Sequence, residues 1–424
     1  MKRYTVASLG CKVNQAEAAH LAGQMRERGW LAAGDGQAVD LALLFTCSVT
    51  GVAARQSRQM ARRLRRAHPG ARVVVTGCDV QAEPQAYSQA GCEVLGRAAL
   101  AQGAEALSGS SLDQATALPA PDAGGFCPGA QAPGPERTRG LLKVQDGCNA
   151  HCAYCIVPST RGRSRSLPLD QAAGAFAELG RSGTAEVVLT GIHLGRWGWD
   201  FTPRQELAEL LRALLAAHPA PRLRLSSLES EELTPEIIEL AAAEPRLVPH
   251  FHLPLQTGSA RLLKQMGRPY GPEDYARTVR VAAAALPGLC LGADVLVGLP
   301  GESDQDFEQT RGLLAGLPIS YLHVFPYSSR PGTRAADMAD HPAPEVSKER
   351  AAVLRELGLA KKRAYYQAQV GSSQEVIVEG SGLGRGANYC LVRLAKETPA
   401  GNRLRVNITG CEELDGQPLL VGAF

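Results

Sequence analysis

The sequence predicts an α/β protein of several domains, and three features of its hydrophobic pattern support this fold class. Up to residue 107, short apolar runs alternate with helical stretches. Between residues 141 and 325, six more strand-like segments are separated by helices, and after Gly371 the chain changes to short β segments with Gly and Asn turns. We therefore expect a parallel-sheet amino-terminal domain, a partial barrel of six β/α units, and a small carboxyl-terminal all-β barrel.

Residues 1–107 are expected to form the first α/β domain. Strands are predicted at 5–9, 39–45 and 72–76, with helices at about 16–28 and 52–67. Cys11, Cys47 and Cys78 each follow one of these strands within a few residues. Because the carboxyl ends of parallel strands share one edge of a sheet, the three cysteines are expected to converge there. The alternative is that they are ordinary buried thiols.

The remaining domain boundaries follow from composition and periodicity. Residues 108–136 are rich in Ser, Ala, Pro and Gly and are predicted to be a linker. Residues 137–370 are predicted to form the partial barrel with a trailing helix, and residues 371–424 the all-β domain. The barrel strands are predicted at 141–145, 186–190, 223–227, 251–255, 291–297 and 321–325, and the later strands at 375–379, 389–394, 404–408 and 419–421.

Composition excludes several classes of protein. No apolar run in the 424 residues approaches the roughly 18–20 residues of a membrane helix, and no signal-peptide core follows Met1. A cytoplasmic protein without a membrane partner is therefore expected. In that reducing compartment the 11 cysteines are expected to be metal ligands or catalytic thiols rather than disulfides. The formal net charge of +3 is too small to indicate nucleic-acid binding by itself.

The strongest motif is formed by Cys148, Cys152 and Cys155, which have the spacing C-x3-C-x2-C. They follow the first predicted barrel strand, at the mouth where barrel enzymes place their catalytic residues. A 4Fe-4S cluster usually takes four cysteines, so three leave one iron free to bind a substrate or cofactor. The alternatives are buried free thiols or a zinc site, although zinc normally has a fourth nearby Cys or His ligand. The open iron indicates catalysis rather than electron storage.

This spacing, with the aromatic Tyr154 before the last cysteine, resembles that of the radical S-adenosylmethionine (SAM) enzymes. The resemblance implies that the open iron chelates SAM, which one electron splits to give a 5'-deoxyadenosyl radical. Residues 8–15 (Ser-Leu-Gly-Cys-Lys-Val-Asn-Gln), 46–50 (Thr-Cys-Ser-Val-Thr) and 76–78 (Thr-Gly-Cys) further resemble the methylthiotransferase branch. Cys11, Cys47 and Cys78 are then implied to hold an auxiliary cluster whose open iron carries the sulfur to be inserted. Two 4Fe-4S clusters and SAM are the implied cofactors.

The same resemblance implies SAM contacts at the ends of the barrel strands. Polar side chains and glycines there suit a cofactor with ribose, adenine and amino-acid parts, because glycine lets the backbone approach the ligand. Each position has the alternative of a simple turn. Besides Tyr154, the implied contacts are Thr190, Gly191, Ser227, Glu229, Gln256, Leu296 and Gly298.

Three groups of residues are candidates for RNA binding. The segment after Gly371 resembles the TRAM domain, which grips RNA in related enzymes, and Asn388 and Tyr389 match the core of that domain. The alternatives are a structural cap for the β domain and a solvated helix face for the arginines of the second helix. The basic candidates are Arg55, Arg58, Arg62 and Arg66 on one face of that helix, and Arg161, Arg163 and Arg165 after the cysteine loop.

The resemblance implies a tRNA methylthiotransferase. Residues 10–15 (Gly-Cys-Lys-Val-Asn-Gln) are most similar to the subgroup that converts N6-threonylcarbamoyladenosine, beside the anticodon, to its 2-methylthio derivative. C2 of adenine carries an unactivated C–H bond, so this chemistry needs a radical from a cofactor. The implied partners are tRNA, an electron donor such as flavodoxin or ferredoxin, and a sulfur source. The alternatives are a methylthiotransferase for isopentenyladenosine or for a ribosomal-protein aspartate, and a non-catalytic iron-sulfur protein that binds RNA or transfers electrons.

Overall fold

The computed structural model describes residues 1–34, 36–107, 118–121, 125–132 and 138–423. It confirms the predicted α/β fold class, with parallel sheets followed by a closed β-barrel. Among the described residues, no helix combines the length and the apolar character that crossing a bilayer requires.

The amino-terminal part is a five-stranded parallel sheet of order β2-β1-β3-β4-β5. Strand β3 is buried along its whole length, as expected for a parallel strand covered by helices on both faces. Helix α1 begins four residues before the predicted start, because polar residues in its first turn conceal the apolar periodicity that begins at Ala16. The elements are β1 Arg3–Ser8, α1 Lys12–Glu27, β2 Leu31–Ala32, β3 Leu41–Thr46, α2 Gly51–Ala67, β4 Arg72–Gly77, α3 Cys78–Ala82, α4 Gln85–Ser88, β5 Glu93–Val94, α5 Arg97–Leu100 and a 3-10 helix Gly103–Leu107.

The central part contains all six predicted barrel strands, now β7, β10, β11, β12, β13 and β14. Its elements up to the third of these are β6 Gly129–Gln131, β7 Gly140–Lys143, β8 Gln145–Asp146, α6 Val157–Arg161, β9 Arg165–Ser166, α7 Leu169–Arg181, β10 Glu186–Thr190, a 3-10 helix Leu194–Arg196, α8 Leu207–Ala217 and β11 Arg222–Leu225. The others are a 3-10 helix Ser230–Glu232, α9 Pro235–Ala243, β12 His250–His252, α10 Ala260–Gln265, α11 Pro272–Ala285, β13 Cys290–Val297, α12 Asp304–Gly316, β14 Tyr321–Pro326, a 3-10 helix Arg334–Ala336 and α13 Pro344–Gln367.

These strands form two sheets, β11-β10-β7-β6 and β12-β13-β14. An isolated parallel bridge between Leu223 and Leu247 joins the two sheets. Alternate residues of each strand pack under the helices in one large core, as Leu223, Phe251 and Val295 do. The residues between them, including Arg224, His250 and Asp294, therefore face the other side of the strands, which is the barrel interior.

The predicted linker at 108–136 contains a short strand among its described residues. Strand β6 pairs antiparallel with β7, with Gly129 opposite Lys143. A Cβ atom on Gly129 would lie 3.0 Å from Cβ of Ala16, so the strand passes close to α1. Residues 129–131 of the predicted linker therefore form a strand, because pairing with β7 creates one where the sequence has no apolar periodicity.

The carboxyl-terminal part closes into a barrel of order β15-β16-β17-β19-β18. Its strands are β15 Ser373–Gly380, β16 Leu383–Gly386, β17 Leu391–Leu394, β18 Arg403–Leu414 and β19 Gln417–Ala423. The prediction missed β16, which has two glycines in four residues. This small barrel covers the amino-terminal ends of the larger barrel's strands, where Arg222 donates to the carbonyl of Glu375 at 3.0 Å and Arg224 to that of Gly386 at 3.3 Å.

Candidate active site

The first cysteine triad, Cys148, Cys152 and Cys155, lies in the loop that follows β8, near the carboxyl ends of the barrel strands. All three thiols are free and partly accessible. The loop returns on itself, since the amide of Cys148 donates to Gly162 O at 3.0 Å and that of Cys155 to Cys152 O at 3.1 Å. Burial raises the pKa of Cys155 to about 12, so this thiol needs a metal or a cation to become a thiolate at neutral pH.

The second triad, Cys11, Cys47 and Cys78, converges as predicted although the three residues are far apart in sequence. A Cβ atom on Gly10 would lie 2.6 Å from Sγ of Cys47, which places that sulfur beside the residue preceding Cys11. Burial raises the pKa of Cys47 to about 11, and the nearby thiols of Cys78 and Cys11 contribute to this rise. Cys11 is also the residue before the first turn of α1, where the helix dipole favours a thiolate.

The spacing of the sulfurs argues against a site for a single metal ion. A tetrahedral zinc site with Zn–S bonds of about 2.3 Å holds its sulfurs less than about 4 Å apart. Among the described residues, the set with ligand atoms all within 4.8 Å of one another is His252, Asp294 and His323, and neither cysteine triad meets that criterion. Three thiols are also the donor set of a cubane cluster that leaves one iron open.

A buried ion network joins the two triads. Arg161 Nε donates to Cys78 Sγ at 3.2 Å, and Arg161 Nη1 lies 2.8 Å from Asp146 Oδ1, two residues before Cys148. Arg97 and Lys143 also contact Asp146, each at 2.7 Å, and both pair with Glu17. Three cations against two carboxylates leave one positive charge beside Cys78, which favours an anionic ligand there.

The pKa of Glu17 shows how these cations dominate the network. Burial by itself would raise the pKa of this carboxyl, but Arg161, Arg97 and Lys143 hold it well below its usual value.

The predicted contact of Arg161 with RNA is corrected by the same geometry. Its side chain is fully buried, and its donors are used by Cys78, Asp146, Glu17 and Asn14.

Two of the predicted SAM contacts, Tyr154 and Glu229, meet at Arg268. Arg268 forms a close ion pair with Glu229 and donates to Cys152 Sγ at 3.3 Å and to the Tyr154 hydroxyl at 3.5 Å. The sequence analysis missed Arg268, which follows helix α10 and belongs to no recognised motif. Its position places a fixed cation between the cluster loop and the end of β11.

His193 is a second residue that the sequence analysis missed. It lies 3.2 Å from Cys148 Sγ through Nδ1 and 2.8 Å from Glu232 through Nε2. Burial lowers its pKa, but these two partners together raise the pKa to about 10, so the imidazole is cationic beside Cys148. The predicted residues Thr190 and Gly191 lead into this histidine, whose amide donates to Gln145 Oε1 at 2.7 Å.

The remaining predicted SAM contacts are Gln256, Leu296, Gly298 and Ser227, and the first two lie next to each other. Gln256 adopts φ of 69°, and its carbonyl accepts from the Leu296 amide at 2.8 Å, so these two residues are adjacent. Leu296 and Tyr154 both pack on the buried cluster that includes Ala153. Gly298 adopts φ of 75° after β13, a conformation that favours glycine. Ser227 is exposed after the end of β11.

The barrel interior carries a further polar cluster. His252 Nε2 lies 2.9 Å and His323 Nδ1 3.2 Å from the same oxygen of Asp294, and the Tyr321 hydroxyl lies 3.1 Å from the other nitrogen of His252. Burial opposes ionisation of Asp294, yet hydrogen bonds from His252 and His323 hold its pKa below the usual value. These mutual hydrogen bonds explain the proximity of the three side chains without a metal ion.

The basic candidates differ in how accessible they are. Arg55, Arg62 and Arg66 are exposed on α2, whereas Arg58 is half-buried and pairs with Glu83 at 2.5 Å. Arg163 is exposed and, with Cys148, lines a cavity of about 410 Å3 beside the loop. Arg165 is half-buried and donates to Gly125 O at 3.2 Å.

Asn388 and Tyr389 differ in accessibility, since Tyr389 is half-buried and Asn388 is almost fully covered. Asn388 is buried and donates to Gln369 at 2.9 Å, so the predicted RNA contact is corrected to a structural one. Tyr389 adopts φ of 69° and stacks on His250 with ring centroids 4.6 Å apart. Three guanidinium groups surround its ring at 4.8–5.7 Å, namely those of Arg139, Arg224 and Arg385.

Comparison with known proteins identifies the family. Residues 142–314 match the radical SAM superfamily, and residues 3–95 match a group described as uncharacterized protein family UPF0004. The chain is 32% identical over 415 residues to the threonylcarbamoyladenosine tRNA methylthiotransferase MtaB of Aquifex aeolicus, covering 95% of this chain and 98% of that protein. The chain belongs to the radical SAM tRNA methylthiotransferase family.

Relatives with another named substrate are almost as similar to this methylthiotransferase. It is 31% identical over 433 residues to the tRNA-2-methylthio-N(6)-dimethylallyladenosine synthase of Pelotomaculum thermopropionicum, covering 100% of this chain and 94% of that protein. The barrel fold also resembles a solved structure, the radical SAM methyltransferase TsrM of Kitasatospora setae, with a TM-score of 0.58 at 16% identity over 79% of this chain and 77% of that one.

The family defines the type of reaction and its cofactors. This methylthiotransferase is an enzyme that inserts sulfur and methyl groups into tRNA, and it uses SAM and 4Fe-4S clusters. Each triad supplies three cysteine thiols, the donor type of such clusters, and cations lie beside both triads, Arg161 at one and His193 and Arg268 at the other.

Proposed function

We propose that this methylthiotransferase converts N6-threonylcarbamoyladenosine beside the tRNA anticodon to its 2-methylthio derivative. The reaction class is supported above all by one observation, the two cysteine triads joined through Arg161 and Asp146. The choice of nucleoside is supported by residues 10–15 and by the substrate named for the Aquifex relative. An isopentenyl-type adenosine is the second candidate, because the relatives named for dimethylallyladenosine are similarly close.

In this proposal each triad holds one cluster. Cys148, Cys152 and Cys155 would hold the radical-generating cluster, and Cys11, Cys47 and Cys78 the auxiliary one. When bound, the clusters and SAM supply the radical and sulfur chemistry that an unactivated C–H bond requires.

The chain's own residues position these cofactors. Arg268 and Glu229 fix the polar wall beside Cys152, and His193 orients Cys148 through its hydrogen bond. The network of Arg161, Asp146 and Glu17 holds the two cysteine loops together, and these three side chains are fully buried. Thr190, Gly191, Gln256, Leu296 and Gly298 complete the proposed SAM site at the strand ends.

The tRNA would approach over the basic surfaces. We propose three domains, at 1–107, 137–370 and 371–424, with Arg55, Arg62 and Arg66 of the first and Arg163 beside the cluster loop as phosphate contacts. The target base has to leave its stack to reach a site between the clusters. A flavodoxin or ferredoxin would supply electrons, and a separate sulfur source would refill the auxiliary cluster.

The test uses anaerobically reconstituted protein with SAM, a reductant and tRNA carrying N6-threonylcarbamoyladenosine. Mass spectrometry of digested tRNA should show the 2-methylthio derivative, together with 5'-deoxyadenosine. Product only from isopentenyladenosine tRNA would support the second candidate instead. Absence of 5'-deoxyadenosine under all conditions would support a non-catalytic iron-sulfur protein.

Replacement of one auxiliary ligand separates the two clusters. We expect Cys47→Ser to bind about four rather than about eight iron atoms, to keep 5'-deoxyadenosine formation and to lose the methylthio product. The matched control is Cys92→Ser, which changes a buried cysteine outside both triads. Iron and sulfide quantification with Mössbauer spectroscopy measures the difference, and eight iron atoms in Cys47→Ser would contradict the assignment.

A further inference from the structure

A cavity of about 330 Å3 lies where the three parts of the chain meet. This volume is within the range of roughly 300–1,000 Å3 that small-molecule sites occupy. The cavity lies beside the second cysteine triad, because Lys12, one of its lining residues, directly follows Cys11. It is lined by Lys12 and Gln15 of α1, Thr138, Arg139, Leu141 and Val188 of the larger barrel, and Glu379 and Arg385 of the small barrel.

Two cations that line this cavity, Arg139 and Arg385, pair with Glu379, and the third, Lys12, does not. Arg139 Nη2 lies 3.2 Å from Oε1 of Glu379, and Arg385 Nε lies 3.1 Å from the same oxygen. In the part of the chain that the structure describes, the ammonium of Lys12 has no hydrogen-bond or ion-pair partner. The cavity therefore has a surplus of positive charge at Lys12.

The surroundings of Lys12 define the kind of ligand that would fit. Leu141 and Val188 form an apolar wall with Ala16, so part of the ligand is apolar. Arg139 and Arg385 also line the cavity, and they disfavour a cationic ligand. The expected ligand is a small anionic group that also has an apolar portion.

We propose that Lys12 binds the carboxylate of the threonylcarbamoyl group on the target adenosine, and that this cavity selects that nucleoside. The inference rests on the proposed function. C2 and C6, the carbon that carries N6, are both bonded to N1 of adenine, so a substituent on N6 lies on the same edge as the carbon that receives sulfur. Lys12 is correspondingly next to Cys11, a proposed ligand of the sulfur-donating cluster. A neutral isopentenyl group would leave the Lys12 charge without a partner.

The test measures equilibrium binding of the reconstituted full chain to two anticodon stem-loop RNAs. One carries N6-threonylcarbamoyladenosine and the other its methyl ester, which removes only the charge. We expect the wild type to bind the acid at least about tenfold more tightly than the ester. Lys12→Met should bind both RNAs equally, and Lys12→Arg should keep the preference. Lys348→Met, at an exposed lysine on α13, is the control and should behave as the wild type.

Each contrary result has a distinct meaning. Equal binding of acid and ester by the wild type would overturn the inference, whatever the folding of the variants. Equal weakening of both RNAs in Lys12→Met would also overturn it, because the anion would then be an RNA phosphate. A wild type that methylthiolates the acid RNA without preferring it over the ester would refute this inference alone. A wild type that does not methylthiolate the acid RNA would refute the proposed function.

Discussion

Among single residues, Arg161 constrains the site most. Its planar guanidinium contacts Cys78, Asp146 and Asn14 at 2.6–3.2 Å, and this fixed set of donors could not be reproduced by a lysine. Because the side chain and its carboxylate partners are all fully buried, the charges compensate one another without solvent. One arginine thus sets both the local charge and the separation of the two cysteine loops.

Removing this charge should destabilise the protein. We expect Arg161→Met to lower the free energy of unfolding by about 1–3 kcal/mol, because buried oxygens of Glu17, Asp146 and Asn14 lose a hydrogen-bond donor. Arg163→Met, two residues away at an exposed position, should change it by less than about 0.5 kcal/mol. Urea unfolding of the metal-free proteins measures both, and similar midpoints for the two variants would refute the role assigned to the network.

Among the elements, helix α2 separates two functions on its two faces. Ala54, Ser57 and Ala61 are buried against the sheet, and the hydroxyl of Thr50 caps the helix by accepting from the Ala53 amide at 3.1 Å. The opposite face presents arginines to solvent, while Arg58 is held by Glu83. The small buried residues bring the helix close to the sheet and leave the long side chains free for phosphates.

The exposed arginines of α2 should contribute to tRNA affinity through their charge alone. We expect the double variant Arg62→Ala/Arg66→Ala to weaken tRNA binding and to reduce the slope of log K against log salt concentration by about 1–2. The control double variant Arg277→Ala/Arg311→Ala removes two exposed arginines from α11 and α12. Binding isotherms at several salt concentrations test this, and equal slopes in both double variants would contradict a phosphate contact.

At the scale of the whole molecule, the small barrel is joined to the larger one through buried charge. Glu186 Oε2 lies 2.6 Å from Arg222 Nε, and Glu186 Oε1 lies 2.7 Å from Arg224 Nε. Both terminal nitrogens of Arg222 and Nη2 of Arg224 donate to backbone carbonyls of the small barrel. Burial opposes ionisation of Glu186, but Arg224 and Arg222 lower its pKa to about 2.

This interface should have a defined pH dependence. A carboxyl whose pKa is depressed in the folded state stabilises the protein above its unfolded value of about 4.5 and loses that contribution as the pH falls toward 2. We expect Glu186→Gln to cost about 3 kcal/mol at pH 7 and to show a shallower decline in stability between pH 5 and pH 3 than the wild type.

Glu308→Gln is the control, because Glu308 pairs with Arg311 on the exposed face of α12. Its unfolding midpoint should match that of the wild type throughout this pH range. Urea unfolding from pH 7 to pH 3 measures both variants, and parallel pH profiles for Glu186→Gln and the wild type would contradict the assigned pKa.

The sequence by itself determined the fold class, the six barrel strands and the family, because these depend on local periodicity, spacing and motif. It did not determine the contacts of Arg161, Asn388 or Tyr389, which looked like surface residues until other segments covered them. It also missed His193 and Arg268, since each acquires partners from distant parts of the chain, and strand β6, which forms only by pairing with β7. Only the tertiary structure decided which charges are buried and paired, because burial depends on packing between elements that are far apart in sequence.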